Sequence, residues 1–409
     1  MTALTSSASL SPQRARSAPV AAVRARETIG IVAPTVPAEP QLATLPAVPT
    51  LEVDLNAVAA NVRTLAATTC GSIMAVVKAD GFGHGAVPIA IAAVQAGATS
   101  LGVATIDEAL ALRTAGLDVP LLSWLNPVGA DFATAVAHDI DLAVPTLAHL
   151  NAVAAAAHSI GRVARVHLHV DTGLHRDGAP RAEWADLSAA ARQAERLGVA
   201  TVAGAMSHLP CADRPGHPST MAGRAALLDA VSVMRAAGLD PALVHLATTA
   251  ATQHAPETHF DLSRIGAGLY GIGRGLRAAL TLSAPIVSVS EVAAGDAVGY
   301  GQTWVASGPT RLGLVPLGYA DGIPRVASGI AEVWVQGQRR PIVGTISMDQ
   351  LVVDIGEVPV EAGTRVTIIG NGDAGEPTVF EWSRWSQTVP HEIMTGLGAR
   401  ITRVYRGLQ

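Results

Sequence analysis

Lysine is almost missing from this chain. Lys and Arg total 28 of 409 residues, and a scan finds a single lysine, Lys78. A bias toward arginine accounts for the other positions. It does not account for one amine surviving at the end of the apolar run Ile73-Met74-Ala75-Val76-Val77-Lys78. A lysine there either snorkels from a strand end or does what arginine cannot. Arginine stays protonated, whereas a desolvated lysine can shed its proton, attack a carbonyl and form an imine.

Other scarcities narrow the class. Cys70 and Cys211 are the only cysteines, too few for a disulfide framework and suited to a reducing cytoplasm. Charged residues make up 15% with a net charge of −5 and no basic block, which argues against nucleic acid or an anionic membrane as partner. The uncharged stretch 142–161 is interrupted by Pro145, His149, Asn151 and His158. It reads as a strand followed by an amphipathic helix, so no membrane span is expected. Residues 1–50 are rich in Ala, Pro, Ser and Thr without hydrophobic period or signal-peptide core, and read as a mostly disordered leader.

What the chain has is apolar material, 49% of its residues, enough for two cores. Short apolar runs at 73–77, 100–104, 120–125, 141–144, 164–170, 199–207, 243–247 and 261–268 alternate with Ala-rich segments of helical period. Gly97, Gly116, Gly161, Gly198 and Gly238 fall where helix C-caps belong. Eight strands alternating with helices predict an α/β fold, a closed parallel (β/α)8 barrel of the TIM type. A doubly wound open sheet is the alternative, weakened by the lack of a glycine-rich fingerprint after the first strand. From about residue 283 the texture changes to β-runs at 285–292, 297–305, 310–317, 331–336 and 345–355, with 378–386 as the one helical segment. The division is therefore 1–50 leader, 51–282 barrel and 283–409 mostly β domain. The run 51–55 precedes the barrel and is a candidate to pair with that second domain.

In such a barrel the active site lies at the C-terminal ends of the strands. Lys78 ends the first strand, Arg176 follows the fifth, His208 ends the sixth, Thr248 and Thr249 follow the seventh, and Arg264 and Gly266 lie on the eighth. Taken singly, Arg176 reads as a surface ion-pair partner and His208 as a hydrogen-bonded core residue. Their common rim position favours a site for an anionic ligand.

The segment Ala75-Val76-Val77-Lys78-Ala79-Asp80-Gly81-Phe82-Gly83-His84-Gly85 resembles the cofactor-lysine signature of the alanine racemase family. Five more family-like segments follow in order: Val170-Asp171-Thr172-Gly173-Leu174-His175-Arg176, Arg264-Ile265-Gly266-Ala267-Gly268, Val298-Gly299-Tyr300-Gly301, Pro316-Leu317-Gly318-Tyr319 and Ser347-Met348-Asp349-Gln350. The resemblance spans roughly residues 51 to 405 and implies a barrel holding pyridoxal 5'-phosphate, plus a β domain. It implies interconversion of L- and D-alanine, supplying D-alanine for peptidoglycan. Lys78 would carry the cofactor and act as base on one face, with Tyr300 as base on the other. His208, Thr249, Arg264, Gly266 and Ala267 would bind the cofactor, and Arg176 and Met348 the substrate carboxylate. His245 and Asp107 would be outer members of the network around His208. No metal is implied. Tyr300 and Met348 would come from a second copy, making a homodimer with shared sites.

The chain departs from the family pattern at four places. Phe82 and Thr395 stand where tyrosines are usual, His169 where a carbamylated lysine often braces the substrate-binding arginine, and His175 before Arg176 is unusual. These leave open a broader racemase accepting serine or larger side chains. Two other classes remain as alternatives: a cofactor carrier without turnover, which would need no second base, and a barrel-type decarboxylase, which would place an acid where Arg264 stands.

Overall fold

The computed structural model describes residues 46–407. Most of the predicted leader lies outside the described residues.

The chain begins with strand β1 (Thr50–Asp54) and helix α1 (Leu55–Ala66), capped by the Asp54 carboxylate, which accepts from the Asn56 and Ala57 N–H groups. The barrel strands follow: β2 (Ser72–Val76), β3 (Ser100–Val103), β4 (Leu121–Ser123), β5 (Asp141–Val144), β6 (Ala164–His169), β7 (Ala200–Met206), β8 (Leu243–His245) and β9 (Leu262–Ile265). All neighbours pair in parallel, in the order β8-β7-β6-β5-β4-β3-β2-β9. A bridge between Thr248 and Arg264, with the Arg264 N–H donating to the Ala247 carbonyl at 2.9 Å, joins the two ends of that order. The eight strands predicted from apolar runs are the eight found.

Between them run α2 (Lys78–Phe82), α3 (Ala86–Gln95), α4 (Ile106–Thr114), α5 (Phe132–Ala137), α6 (Leu147–Ser159), α7 (Trp184–Arg196), α8 (Pro218–Ala236) and α9 (Thr249–His254). The uncharged stretch at 142–161 resolves into the end of β5 and α6, as its polar interruptions require. Gly97, Gly116, Gly161, Gly198 and Gly238 all have positive φ, the left-handed conformation that ends a helix at small cost when the residue is glycine. Among the described residues no helix is long and apolar enough to cross a membrane.

The second half supplies β10 (Leu280–Pro285), β11 (Ser288–Val292), β12 (Ala297–Val298), β13 (Trp304–Val305), β14 (Thr310–Val315), β15 (Glu332–Val335), β16 (Gln338–Val343), β17 (Leu351–Asp354), β18 (Arg365–Ile369) and β19 (Thr402–Arg406). Nine strands form one sheet, β11-β14-β17-β16-β15-β18-β10-β1-β19. As the sequence suggested for 51–55, β1 leaves the barrel and pairs with this sheet, antiparallel to β10 and parallel to β19. The expectation of one helix here needs correction. Besides α10 (Val379–Trp385) there is α11 (Pro390–Gly396), a short helix opened by a proline at its first turn, too brief to show a period. The fully buried Trp382 on α10 donates to the Ile368 carbonyl at 2.7 Å and anchors the helix to the sheet. Truncating such a side chain costs about 3–5 kcal/mol.

Candidate active site

Lys78 follows β2 and opens a turn of the opposite hand. Ala79, Asp80, Gly81 and Phe82 all have φ between 50° and 60°. Residues with a Cβ pay roughly 1–2 kcal/mol each for this region, so the turn must be held from outside. It is. Glu108 on α4 accepts from the Ala79 N–H with one carboxylate oxygen and from the Ala104 N–H with the other, at 2.6 and 2.8 Å. Its own backbone N–H donates to Thr105 in a capping box, so one carboxylate ties the start of α4 to the lysine turn. The Asp80 carboxylate accepts from Ala86 at the start of α3. The buried His84 Nδ1 faces the Gly81 and Phe82 carbonyls, which can only accept, so that nitrogen carries the proton. From the β domain, Arg403 donates to the Gly83 carbonyl, and the Phe82 ring lies 5.9 Å from the His391 ring.

The amine at the head of this turn is electrostatically pressed. Burial and the Arg176 guanidinium pull the Lys78 pKa below its ordinary value, and Glu108 opposes them only in part. His208, after β7, is driven down to about 3 by burial and by the cations Arg264, Arg176 and Lys78. It is therefore neutral near pH 7. Arg264 is 5% exposed and has no carboxylate partner among the described residues. Burial and Arg176 bring its pKa to about 10. It is held by donation to the Ser207 carbonyl at 2.6 Å, the His245 carbonyl and Nδ1 at 3.0 Å each, and His208 Nδ1 at 3.5 Å. A buried Arg264 without a carboxylate partner among the described residues, ringed by neutral imidazoles and carbonyls and near Arg176, leaves a rim of positive potential suited to an anionic ligand.

Thr249 opens α9 and is buried; its Oγ1 accepts from the Gly268 N–H at 3.0 Å, which draws α9 to the loop at Gly266 and Ala267. An added Cβ at Gly266 would sit 3.3 Å from the Phe82 ring. The Phe82 edge, Gly266 and Thr249 thus meet at one end of the lysine turn. Arg176 lies exposed in the loop after β6, and a small cavity there is lined by His169, Asp171, Arg176, Asp177 and His208. His169 reaches the Asp177 carboxylate at 3.4 Å rather than Arg176, and His175 pairs with Asp171 at 2.6 Å. His175 therefore braces the loop, and neither histidine pairs with the guanidinium itself. Thr395 is exposed on α11.

Tyr300 and Met348 stand apart. Tyr300 is 74% exposed at the tip of the β12–β13 hairpin, and Met348 is 53% exposed in the loop before β17. Thr345 donates to the Tyr300 carbonyl, while the Tyr319 and Ala320 N–H groups donate to the Ser347 and Met348 carbonyls. Three motif segments distant in sequence are thereby tied into neighbouring parts of one exposed face. Asp107 is exposed on the first turn of α4 and makes none of the bonds around His208. Beyond His245 the network continues instead to His167 and Asp141. Sequence reading missed these two, along with Glu108 and His391. A signal existed for one: His167 and His169 alternate within an apolar strand and so share a face.

Fold and rim together suit a barrel enzyme with a positive rim around an amine. Residues 53–273 match the family described as Alanine racemase, N-terminal domain, and residues 279–405 its Alanine racemase, C-terminal domain counterpart. An alanine racemase from Thermobifida fusca is 47% identical over 363 residues, covering 87% of this chain and 97% of the relative. The structure of alanine racemase from D-cycloserine-producing Streptomyces lavendulae superposes with a TM-score of 0.88 at 45% identity, covering 90% of this chain and 99% of that one. That of alanine racemase from Bartonella henselae with covalently bound pyridoxal phosphate gives 0.80 at 28% identity, covering 88% and 100%. The chain belongs to the alanine racemase family.

Proposed function

We propose that the protein interconverts L- and D-alanine with pyridoxal 5'-phosphate held at the barrel rim by Lys78, supplying D-alanine for the cell wall from the cytoplasm. The observation that carries this is the chain's single lysine, its pKa lowered by burial and Arg176, on the same rim as a buried Arg264 that no carboxylate among the described residues neutralises. The donor set fits the cofactor: a neutralisable amine for its aldehyde, hydroxyl and backbone N–H groups at Thr249, Gly266 and Ala267 for its phosphate, and a guanidinium whose Nε–H takes no acceptor among the described residues for its ring nitrogen. When bound, the cofactor delocalises the charge left on an amino acid's α-carbon and so makes the α-proton removable.

The chain's own groups do the rest. Lys78 would take or return the α-proton on one face with its amine. Because Arg264 keeps its proton, it would offer a bound cofactor's ring nitrogen a hydrogen bond rather than a proton, which would keep the cofactor a weak electron sink. His208 accepts from Arg264 at Nδ1 and therefore carries its proton on Nε2, available as a donor on the open side. Arg176 holds the substrate carboxylate, with Met348 beside it.

The second base is Tyr300 of a second copy, and the protein is a homodimer with its sites shared across the interface. The exposure of Tyr300 and Met348 on one face supports this. The working domain bounds remain 51–282 for the barrel and 283–409 for the β domain, with 1–50 as leader. Incubating the protein and cofactor with L-alanine in deuterated water tests the activity. D-alanine deuterated at the α-carbon is expected; L-alanine recovered with its α-hydrogen intact contradicts the reading.

A further inference from the structure

Below the rim, the barrel interior holds a chain of polar side chains of which the function above uses only Arg264. His245 Nδ1 lies 3.0 Å from Arg264 Nη1, and His245 Nε2 lies 2.9 Å from His167 Nδ1. His167 Nε2 lies 3.4 Å from Asp141 Oδ2, and Asp141 accepts from Arg165 at 2.9 Å. Asp141, His167, His245 and Arg264 are each 5% exposed or less. The chain runs from the first residue of β5 to the middle of β9, alongside an apolar cluster of Met74, Leu122, Ala143, Met206 and Leu262.

Its two ends are chemically one-way. A guanidinium only donates and a carboxylate only accepts. Read from Arg264, His245 must accept at Nδ1, so its proton is on Nε2 and is donated to His167 Nδ1. Read from Asp141, His167 must donate from Nε2, which leaves its Nδ1 free to accept. The two derivations meet without conflict. We propose that His167 and Asp141 are positioning residues that fix His245 as its Nε2–H tautomer and thereby hold the Arg264 guanidinium in place.

The fold is shaped for this contact. His167 is on β6 and His245 on β8, with β7 between them. The register of β6 on β7 shifts at Val166/His167, and the residue opposite His167 is Gly204. A Cβ at Gly204 would lie 2.8 Å from His167 Cε1 and closer still to Nδ1, so any side chain there would push the ring off its line to His245. The burial of His245, which drives its pKa well below the ordinary value, keeps it neutral and so keeps a defined tautomer.

The catalytic consequence rests on the reading of Arg264 as the cofactor-facing cation, whereas the tautomers do not. Ring-nitrogen NMR of the 15N-histidine-labelled holoprotein tests both. In the parent, His245 should be protonated at Nε2 and bare at Nδ1. His167→Leu and Gly204→Ala should leave the His245 Nε2–H without its acceptor, read as loss of that proton's downfield shift, and lower kcat about 10-fold, with KM for alanine within about twofold. His167→Gln, whose amide can accept from His245 and donate to Asp141, should retain both the shifted proton and kcat. A His245 protonated at Nδ1 in the parent overturns the proposal, and so does an unchanged Nε2–H proton shift in both disruptive variants. If those variants do not fold, the parent and His167→Gln decide it. Loss of that hydrogen bond with parental kcat overturns the positioning role by removing Arg264 from the chemistry.

Discussion

The barrel rim and the β-domain face carry the two halves of the candidate site in opposite states. At the rim, Arg264 is 5% exposed, and both it and Lys78 are pressed by burial and by Arg176. On the β domain, Tyr300 and Met348 are 74% and 53% exposed. A buried cation needs partners built into the same chain, and Arg264 has them in three carbonyls and two imidazoles. An aromatic and a methionine left in water forgo roughly 1.5–3 kcal/mol each of burial, and their loops are cross-tied into a fixed face. One half is built within the chain, while the other stands exposed, as the proposed sharing between two copies requires.

Breaking the rim half should have the largest effect. Lys78→Ala should reduce racemisation to the uncatalysed background and abolish the visible absorbance of lysine-bound cofactor. An intact band would move the attachment elsewhere. Lys78→Arg should fare no better, because arginine keeps its proton. Breaking the displayed half should cost less: Tyr300→Phe is expected to slow turnover by about 10²–10⁴ while the absorbance band stays. Parental rates in both directions would mean that another group serves as second base.

The lysine turn can be probed through pH. His84 has its pKa lowered from 6.5 to about 4, chiefly by burial, so between those values the unfolded chain binds the proton and the folded chain does not. Stability from this group is present above pH 6.5 and lost as pH falls toward 4, a change of about 3 kcal/mol. Urea denaturation of the parent and His84→Gln at pH 7 and pH 4.5 measures it. The variant should lose less on acidification, and equal losses would assign the acid sensitivity to other groups. The smallest effect is expected from Phe82→Tyr. Its hydroxyl would extend from the ring edge beside Gly266 and should tighten cofactor binding about 3- to 10-fold. Unchanged affinity by cofactor titration would show that this edge does not reach the phosphate.

The barrel was legible because each strand is a short apolar run closed by a helix and a C-cap glycine, signals that are local. Lys78 was legible for its rarity, and Arg264, His208 and Thr249 for falling at strand ends. Asp141 was not, and His167 only as one of two histidines sharing a strand face, since nothing local says that a histidine on β6 will reach across a glycine on β7. Helix α11 was missed for its brevity. Glu108 was hidden in its own capping box, which explains that residue fully without the lysine turn 29 positions earlier.

Mixing two inactive variants most directly tests the division of the site between two copies. Lys78→Ala and Tyr300→Phe, unfolded and refolded together, should form mixed dimers with one intact site each, restoring about a quarter of parental activity on random reassortment. Activity no greater than the sum of the separate variants would mean that both halves of each site come from a single chain.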